Sequence, residues 1–215
     1  MNGIHQRIRS PGILPLHPPP DNTMTLFKGK YRIETVRLRG WDYSSAGWYV
    51  VTICTRNRQM FFGAVENGVV RLSPIGEIAR DYWVQIPQHT TANVAIDTFV
   101  VMPNHIHGIV VILEPPNTDV ETLHCNVSTS PAPPRAPDNP MAHTSPRAGS
   151  LGAIIRSYKS AVSYWCNHNG YTGFGWQARF YDRIIHNERD LQIVRHYIAR
   201  NPAKWKNDRN HSKPR

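Results

Sequence analysis

The sequence has few cysteines, and their spacing excludes two common kinds of stabilising site. Cys54, Cys125 and Cys166 are the only cysteines in 215 residues, and no two of them form a Cys-x-x-Cys pair. An odd number of widely spaced cysteines argues against a disulfide framework and against a thiolate zinc cage. This pattern is typical of a protein in a reducing compartment, and we predict a cytoplasmic location.

A long apolar run near the amino terminus is also missing. The first 23 residues contain five prolines but no apolar stretch of the length that a signal-peptide core or a membrane span requires. We predict a disordered leader over residues 1–26 and no membrane partner, with Met1 and Met24 as alternative starts.

Acidic residues are scarce relative to basic ones. Lys and Arg total 25 against 15 Asp and Glu, which gives a formal net charge of +10 and a pI near 9.9. Such an excess favours a polyanionic partner, with nucleic acid as the first candidate and a merely soluble basic protein as the alternative. The segment from Phe27 to Arg39 carries five of the basic residues and could lie along phosphates or form a solvated edge.

Proline is unevenly distributed and divides the chain. Eight of the 18 prolines lie between Glu114 and Ala148, where periodic apolar residues are almost absent. We predict a single domain over residues 27–205, interrupted by a Pro-rich flexible insertion at 114–148 and followed by a basic tail at 206–215.

The apolar periodicity predicts an alternation of strands and helices. The run Trp48–Cys54 is β-branched and aromatic, which indicates an inner strand. Ser73-Pro74, Ser150 and Asn187 are helix-start signals. The predicted elements are a strand at 48–54, a short strand at 69–72, a helix from 74 to about 85, a strand hairpin at 93–113, a helix from 151 to about 169, a short strand within 176–185 and a helix from 187 to about 201.

Two histidines begin the second arm of that hairpin. His105 and His107 alternate with Ile106, so their side chains would share one face of a strand. Two adjacent imidazoles are half of a metal site. The alternative is a partly solvated histidine pair that follows a Pro-Asn turn without further significance.

The last helix carries a tyrosine and an asparagine four residues apart. Tyr197 and Asn201 would lie on one helix face, about 6 Å apart along the axis. They could converge with the histidines, or they could be a core tyrosine and a helix cap. Two imidazoles and one amide oxygen would suit Mg or Mn, with open positions for water and phosphate.

Several motifs together resemble one family of enzymes. Residues 102–109 (MPNHIHGI) resemble the His-hydrophobic-His signature of the HUH single-strand transposases. Residues 37–43 (RLRGWDY), 46–55 (AGWYVVTICT), 176–177 (WQ), 180–185 (FYDRII) and 197–205 (YIARNPAKW) are similar to the REP-associated tyrosine transposases. The resemblance covers roughly residues 35–113 and 149–205.

The resemblance implies a fold and a site. It implies an α+β, ferredoxin-like antiparallel sheet with helices packed on it, of the HUH endonuclease type. His105 and His107 match the metal-ligating histidines, and Tyr197 matches the nucleophile. Asn201 falls where related enzymes place an amide ligand, which in some relatives is Gln.

It also implies an activity: a Mg- or Mn-dependent transposase that nicks single-stranded or hairpin DNA of repeat elements through a 5′-phosphotyrosine and can rejoin it. Two alternatives remain open from the residues, an inactive hairpin-binding protein and a water-using phosphodiesterase. The protein could act as a monomer or as a homodimer.

DNA contacts are expected from the basic face, with unpaired bases stacked on Trp41, Trp48 or Tyr181 unless these aromatics belong to the core. The predicted DNA-binding residues are Arg37, Arg39, Arg56, Arg58, Arg156, Lys159 and Arg183.

Overall fold

The computed structural model describes residue 38 and residues 40–114, 146–208 and 210–211, all within the compact unit Arg37–Arg215. The predicted leader, most of the basic segment 27–39 and most of the Pro-rich insertion lie outside the described residues. The described strands are β1 (Gly47–Cys54), β2 (Gly63–Glu66), β3 (Val69–Leu72), β4 (Val94–Met102), β5 (His105–Ile112) and β6 (Tyr181–Ile185). The described α-helices are α1 (Pro74–Val84), α2 (Leu151–His168) and α3 (Glu188–Arg200).

Four strands form an antiparallel sheet in the order β4-β5-β1-β6. With α1 between β1 and β4 and α2 between β5 and β6, the chain follows the βαββαβ order of a ferredoxin-like fold. The predicted α+β class is therefore confirmed, and β1 is an inner strand as predicted.

The two faces of the sheet carry different helices. Tyr49 and Val51 of β1, with Ile106 and Val110 of β5, belong to the same buried cluster as α1 and α2. The opposite face of β5 packs against the buried face of α3, which consists of Leu191, Val194 and Ile198. Because β5 is covered on both sides, all eight of its residues are buried, including both histidines.

Local sequence explains where the helices begin. The side-chain oxygens of Ser73, Ser150 and Asn187 accept hydrogen bonds from backbone N–H groups three residues further on, at the starts of α1, α2 and α3. All three caps lie at the predicted positions.

The hairpin of β2 and β3 was predicted only in part. β3 follows Gly68 as expected, but β2 has four residues that alternate between half-buried and exposed positions. Asn67 and Gly68 join the strands with positive φ angles of 52° and 77°. An Asn-Gly pair adopts this conformation readily, so the turn aligns β2 with β3 although β2 itself has little apolar character.

Gly108 follows His107 and faces α1. A Cβ atom at this position would lie 2.4 Å from Cζ2 of Trp83, which fills the space beneath the strand. The glycine therefore lets a tryptophan of α1 pack directly behind the histidine pair.

Candidate active site

His105 and His107 lie side by side on the α3 face of the sheet. Their ring centroids are 4.4 Å apart, and the side chains are 0% and 2% exposed. The backbone of β5 pairs with β4 on one side and β1 on the other, so the strand that carries the rings is held at both edges. The pair is thus a buried polar group on an otherwise apolar strand.

Asn104 orients the ring of His105. The Asn104 amide nitrogen donates to the carbonyl oxygens of Arg58 and Asn210, at 3.1 and 2.8 Å. Its Oδ1 then faces Nδ1 of His105 at 2.8 Å. Because an amide oxygen can only accept, Nδ1 of His105 is protonated and donates, and Nε2 is the nitrogen with a lone pair for a cation.

Thr52 has the equivalent position beside His107. Its Oγ1 lies 2.8 Å from Nδ1 of His107 across the β1–β5 ladder. If Nε2 of His107 were to bind a cation, Nδ1 would keep its proton and donate to this hydroxyl. Both imidazoles are therefore oriented through Nδ1 by a neighbouring side-chain oxygen.

Tyr197 reaches the pair from α3. Its hydroxyl lies 3.4 Å from Nε2 of His107, and the two ring centroids are 5.4 Å apart. Tyr197 lies next to the buried face of the helix and is 45% exposed. The structure brings the phenol and an imidazole of one chain together although they are 90 residues apart.

Asn201, the predicted third ligand, is the C-cap residue that follows the last residue of α3 and is 2% exposed. Its Oδ1 is buried and receives no hydrogen bond within the part of the chain that the structure describes. A buried amide oxygen without a donor costs about 1–3 kcal/mol. A bound cation would satisfy it.

Asp208 is a member of the site that the sequence prediction missed. A 3-10 helix at Pro202–Asn207 follows α3 and returns the chain to the hairpin. His105, His107 and Asp208 each offer a ligand atom, and these atoms lie within 4.8 Å of one another. Asp208 is the only acidic residue after Asp190 in the sequence, and that isolation in a basic tail was the available signal.

This donor set fits a divalent cation. Two imidazole nitrogens and one carboxylate leave positions open for water and substrate oxygens, unlike a closed structural zinc site. The carboxylate would offset part of the charge of such an ion, and an Mn²⁺ ion accepts nitrogen ligands more readily than Mg²⁺ does.

Other residues that follow α3 lie close to the histidine pair. The ring of Trp205 lies 6.0 Å from that of His105, and His211 packs on Trp205 at 4.7 Å. The carbonyl of Asn210 holds Asn104, and the backbone N–H of Asn210 donates to Asp208 at 2.6 Å. Residues after α3 therefore form one side of the site.

The predicted DNA-binding residues have different surroundings. Arg37 and Arg39 lie outside the described residues. Arg56 and Arg156 are exposed, Arg58 is half-buried, and Arg56 also donates to the Gly173 carbonyl at 2.8 Å.

Two further cations of that set contact protein groups. The ammonium of Lys159 donates to the Gln177 carbonyl at 2.6 Å, and burial lowers the pKa of Lys159. Arg183 contacts both carboxylate oxygens of Asp190 at 3.0 and 2.9 Å. A phosphate would have to compete with these contacts.

The three aromatic candidates also differ. Trp41 is half-buried, and its indole N–H donates to Tyr49 at 3.2 Å. Trp48 is half-buried against the α3 cluster. Tyr181, on the edge strand β6, is 44% exposed. It is the most exposed of the three candidates.

None of the helices within the described residues is long and apolar enough to cross a membrane.

Comparison with known proteins finds similarity both in sequence and in solved structures. The chain is 33% identical over 180 residues to an uncharacterized protein of Haemophilus influenzae, an alignment that spans 84% of this chain and 93% of that protein. The solved structure of a REP-associated tyrosine transposase bound to a REP hairpin matches this chain with a TM-score of 0.49 and 18% sequence identity. The match covers 80% of this chain and 74% of the transposase chain. No family model matches the sequence.

Proposed function

We propose that this chain, which belongs to the same family as the Haemophilus influenzae protein, is a divalent-cation-dependent transposase that nicks and rejoins hairpin-forming single-stranded DNA. The observation that carries this proposal is the 3.4 Å contact between the Tyr197 hydroxyl and Nε2 of His107. A nucleophile of the phosphotyrosine type has to lie beside the groups that hold the reacting phosphate, and the position of this phenol next to His107 supports that role.

The protein groups would divide the work as follows. His105, His107 and Asp208, with the amide oxygen of Asn201, would hold Mg²⁺ or Mn²⁺. The bound cation would supply a Lewis acid for the non-bridging oxygens of one phosphodiester. Since the histidines are covered and Tyr197 is 45% exposed, the phosphodiester would approach along the tyrosine side chain.

The reaction that we propose is a transesterification. The Tyr197 Oη–P bond forms while the P–O3′ bond breaks, the phenolic proton is released, and the departing 3′ oxygen takes up a proton. The product is a 5′-phosphotyrosine and a free 3′-hydroxyl. A phenol ester keeps the energy of the broken bond, so attack by a 3′-hydroxyl can reseal the strand without ATP.

The substrate class rests on charge and on the sequence resemblance. The net charge of +10 favours a polyanion. We expect the exposed Arg56 and Arg156 to contact phosphates, and the motifs that resemble those of REP-associated tyrosine transposases favour hairpin DNA of repeat elements.

The test is to incubate the protein with a single-stranded hairpin oligonucleotide and Mg²⁺ or Mn²⁺. Two reactions are run, one with the oligonucleotide labelled at its 3′ end and one with it labelled at its 5′ end. With a 3′ label, we expect an SDS-resistant protein–DNA band. With a 5′ label, we expect a free shortened strand. Tyr197→Phe should abolish both products without loss of DNA binding, while the matched variant Tyr164→Phe, on α2, should keep them.

Each alternative gives a different result in the same assay. A water-using phosphodiesterase would release both fragments free and would remain active as Tyr197→Phe. A binding module without chemistry would retain the hairpin in every variant and cut it in none.

A further inference from the structure

The position of α3 controls the position of the nucleophile. The helix is held to the sheet by an apolar face, and apolar contacts alone tolerate small rotations and shifts. A tyrosine hydroxyl lies on the order of 8 Å from the helix axis, so a rotation of about 10° would move it by roughly 1.4 Å. A displacement of about 1 Å can reduce a reaction rate on the order of 100-fold.

One ion pair joins α3 to the edge strand β4. Arg195 donates from Nε to Oδ1 of Asp97 at 3.0 Å and from Nη2 to Oδ2 at 2.6 Å. A two-point contact of this kind fixes the plane of the guanidinium as well as its distance. Both side chains are partly buried, with 34% and 21% exposure.

Asp97 lies at an irregular point of the strand. The register between β4 and β5 shifts between Ile96 and Phe99. The backbone N–H of Thr98 also donates to Oδ1 of Asp97 at 2.6 Å, so a contact within its own strand orients the carboxylate in addition to the contact with Arg195.

A second ion pair joins α3 to the opposite edge of the sheet. Nη1 of Arg183, on β6, contacts both oxygens of Asp190 in the first turn of the helix. Strands β4 and β6 are the two ends of the strand order, so the helix is tied on both sides of the histidine pair.

The two pairs have opposite polarity. On β4 the sheet provides the acid and the helix the base, whereas on β6 the sheet provides the base and the helix the acid. A helix turned end for end would bring like charges together at both edges. The arrangement therefore selects one orientation of α3.

We propose that Asp97–Arg195 and Arg183–Asp190 form an α3 clamp, a pair of positioning contacts that hold the Tyr197 hydroxyl against His107 of the same chain. None of the four residues touches the reacting groups. The proposal rests on the proposed function only for its effect on DNA cleavage. It also makes a geometric claim about the protein alone.

Of the two ion pairs, Asp97–Arg195 should have the larger effect on the position of Tyr197. Arg195 lies two residues before Tyr197, about 3 Å along the helix axis. The hydrogen bond from Arg195 is the main reason that the pKa of Asp97 lies below its usual range, so the pair is ionised at neutral pH.

The test compares Asp97→Asn and Arg195→Lys with the wild type and with Asp81→Asn. The control removes an ion pair of similar length, Arg80–Asp81 at 2.9 Å, on α1 behind the other face of the sheet. The first readout is the nuclear Overhauser effect between the ring protons of His107 and Tyr197 in the protein alone. The second is the single-turnover rate of hairpin cleavage with Mn²⁺, together with KM and Mn²⁺ affinity.

For Asp97→Asn we expect a weakened ring–ring effect and a cleavage rate reduced by about 10- to 100-fold, with KM and Mn²⁺ affinity within about 3-fold of wild type. Arg195→Lys keeps the charge but loses the two-point contact, so an intermediate loss is expected. Asp81→Asn should match the wild type in both readouts.

An unchanged ring–ring effect and unchanged rate in Asp97→Asn and Arg195→Lys would overturn the clamp, as would an equal loss in Asp81→Asn. A wild-type protein that cuts no DNA while Asp97→Asn still loses the ring–ring effect would overturn the proposed function and support the clamp.

Discussion

Thr52 and His107 share a buried hydrogen bond between adjacent strands, with Oγ1 and Nδ1 2.8 Å apart. The two residues are direct partners in the β1–β5 register, so the contact is set by the sheet itself. A ring oriented in this way presents Nε2 to the proposed cation without further adjustment.

Replacing Thr52 by Val should therefore weaken metal binding while the fold is retained, because Val is β-branched and of similar size. We expect the Mn²⁺ dissociation constant to rise by about 10- to 100-fold, as measured by isothermal titration calorimetry. Thr52→Ser keeps the hydroxyl and should stay within about 3-fold of wild type. Equal affinity in Thr52→Val and wild type would count against a role for the hydroxyl in orienting His107.

Asn104 should be important for stability as well as for the orientation of His105. In Asn104→Ala, the carbonyls of Arg58 and Asn210 lose their amide donor, which should lower the free energy of unfolding by about 2–3 kcal/mol. Urea denaturation measures the change. The control is Asn169→Ala, which removes an exposed amide contact at 2.8 Å and should cost less than about 1 kcal/mol. A cost no greater than that of the control would contradict the role of Asn104.

Asp208 should contribute directly to cation affinity. Asp208→Asn keeps an oxygen that can accept from the Asn210 backbone N–H but removes the negative charge, so Mn²⁺ affinity should fall by at least about 10-fold. Glu77→Gln, in the first turn of α1, is the matched loss of charge and should leave Mn²⁺ affinity unchanged. If Asp208→Asn binds Mn²⁺ as tightly as wild type, the carboxylate is not a ligand.

The Asp97–Arg195 pair predicts a pH dependence of stability. The hydrogen bond from Arg195 lowers the pKa of Asp97 in the folded protein, so its contribution is fully present above the unfolded-state pKa of about 3.9. It is lost as pH falls through the lower folded-state value. The difference in unfolding midpoint between wild type and Asp97→Asn should thus be constant from pH 7 to about 5 and shrink in stronger acid. A difference that grows on acidification would refute this assignment.

Tyr181 should contact a base near the reacting phosphate. It is the cross-strand partner of Thr52, which in turn is the partner of His107, so Tyr181 lies on the histidine face about 10 Å from His107. Tyr181→Ala should raise the dissociation constant for single-stranded DNA by about 10-fold in fluorescence anisotropy. Tyr164→Ala removes a ring that is 65% exposed on α2 and should have little effect. Equal weakening by both variants would indicate non-specific contact.

Local patterns predicted the elements of the fold. The caps Ser73, Ser150 and Asn187 act within one helical turn, and the apolar run of β1 follows from side-chain type alone. β2 was missed because its four residues carry little apolar signal and depend on pairing with β3. Helix caps and apolar runs can be predicted from a single sequence because they depend on neighbouring residues. A strand with few apolar residues depends on the strand with which it pairs.

Sequence motifs indicated only some of the residues of the candidate site. His105, His107, Tyr197 and Asn201 came from spacing and resemblance. Asp208 was not predicted, because its place depends on how the chain turns after α3. The contact between Asn104 and Asn210 joins residues that are 106 positions apart, and no local sequence pattern predicts a contact over that separation.

The order of the site residues along the chain has a practical consequence. His105 and His107 precede residue 114 and Tyr197 follows residue 146. Cleavage of the chain between these points would therefore yield one fragment with the two histidines and another with the tyrosine. The β1–β6 ladder and the apolar underside of α3 would give those fragments surfaces through which to reassociate. The proposed strand nicking would then require two separately supplied polypeptides to associate, so the protein could be used as a split enzyme.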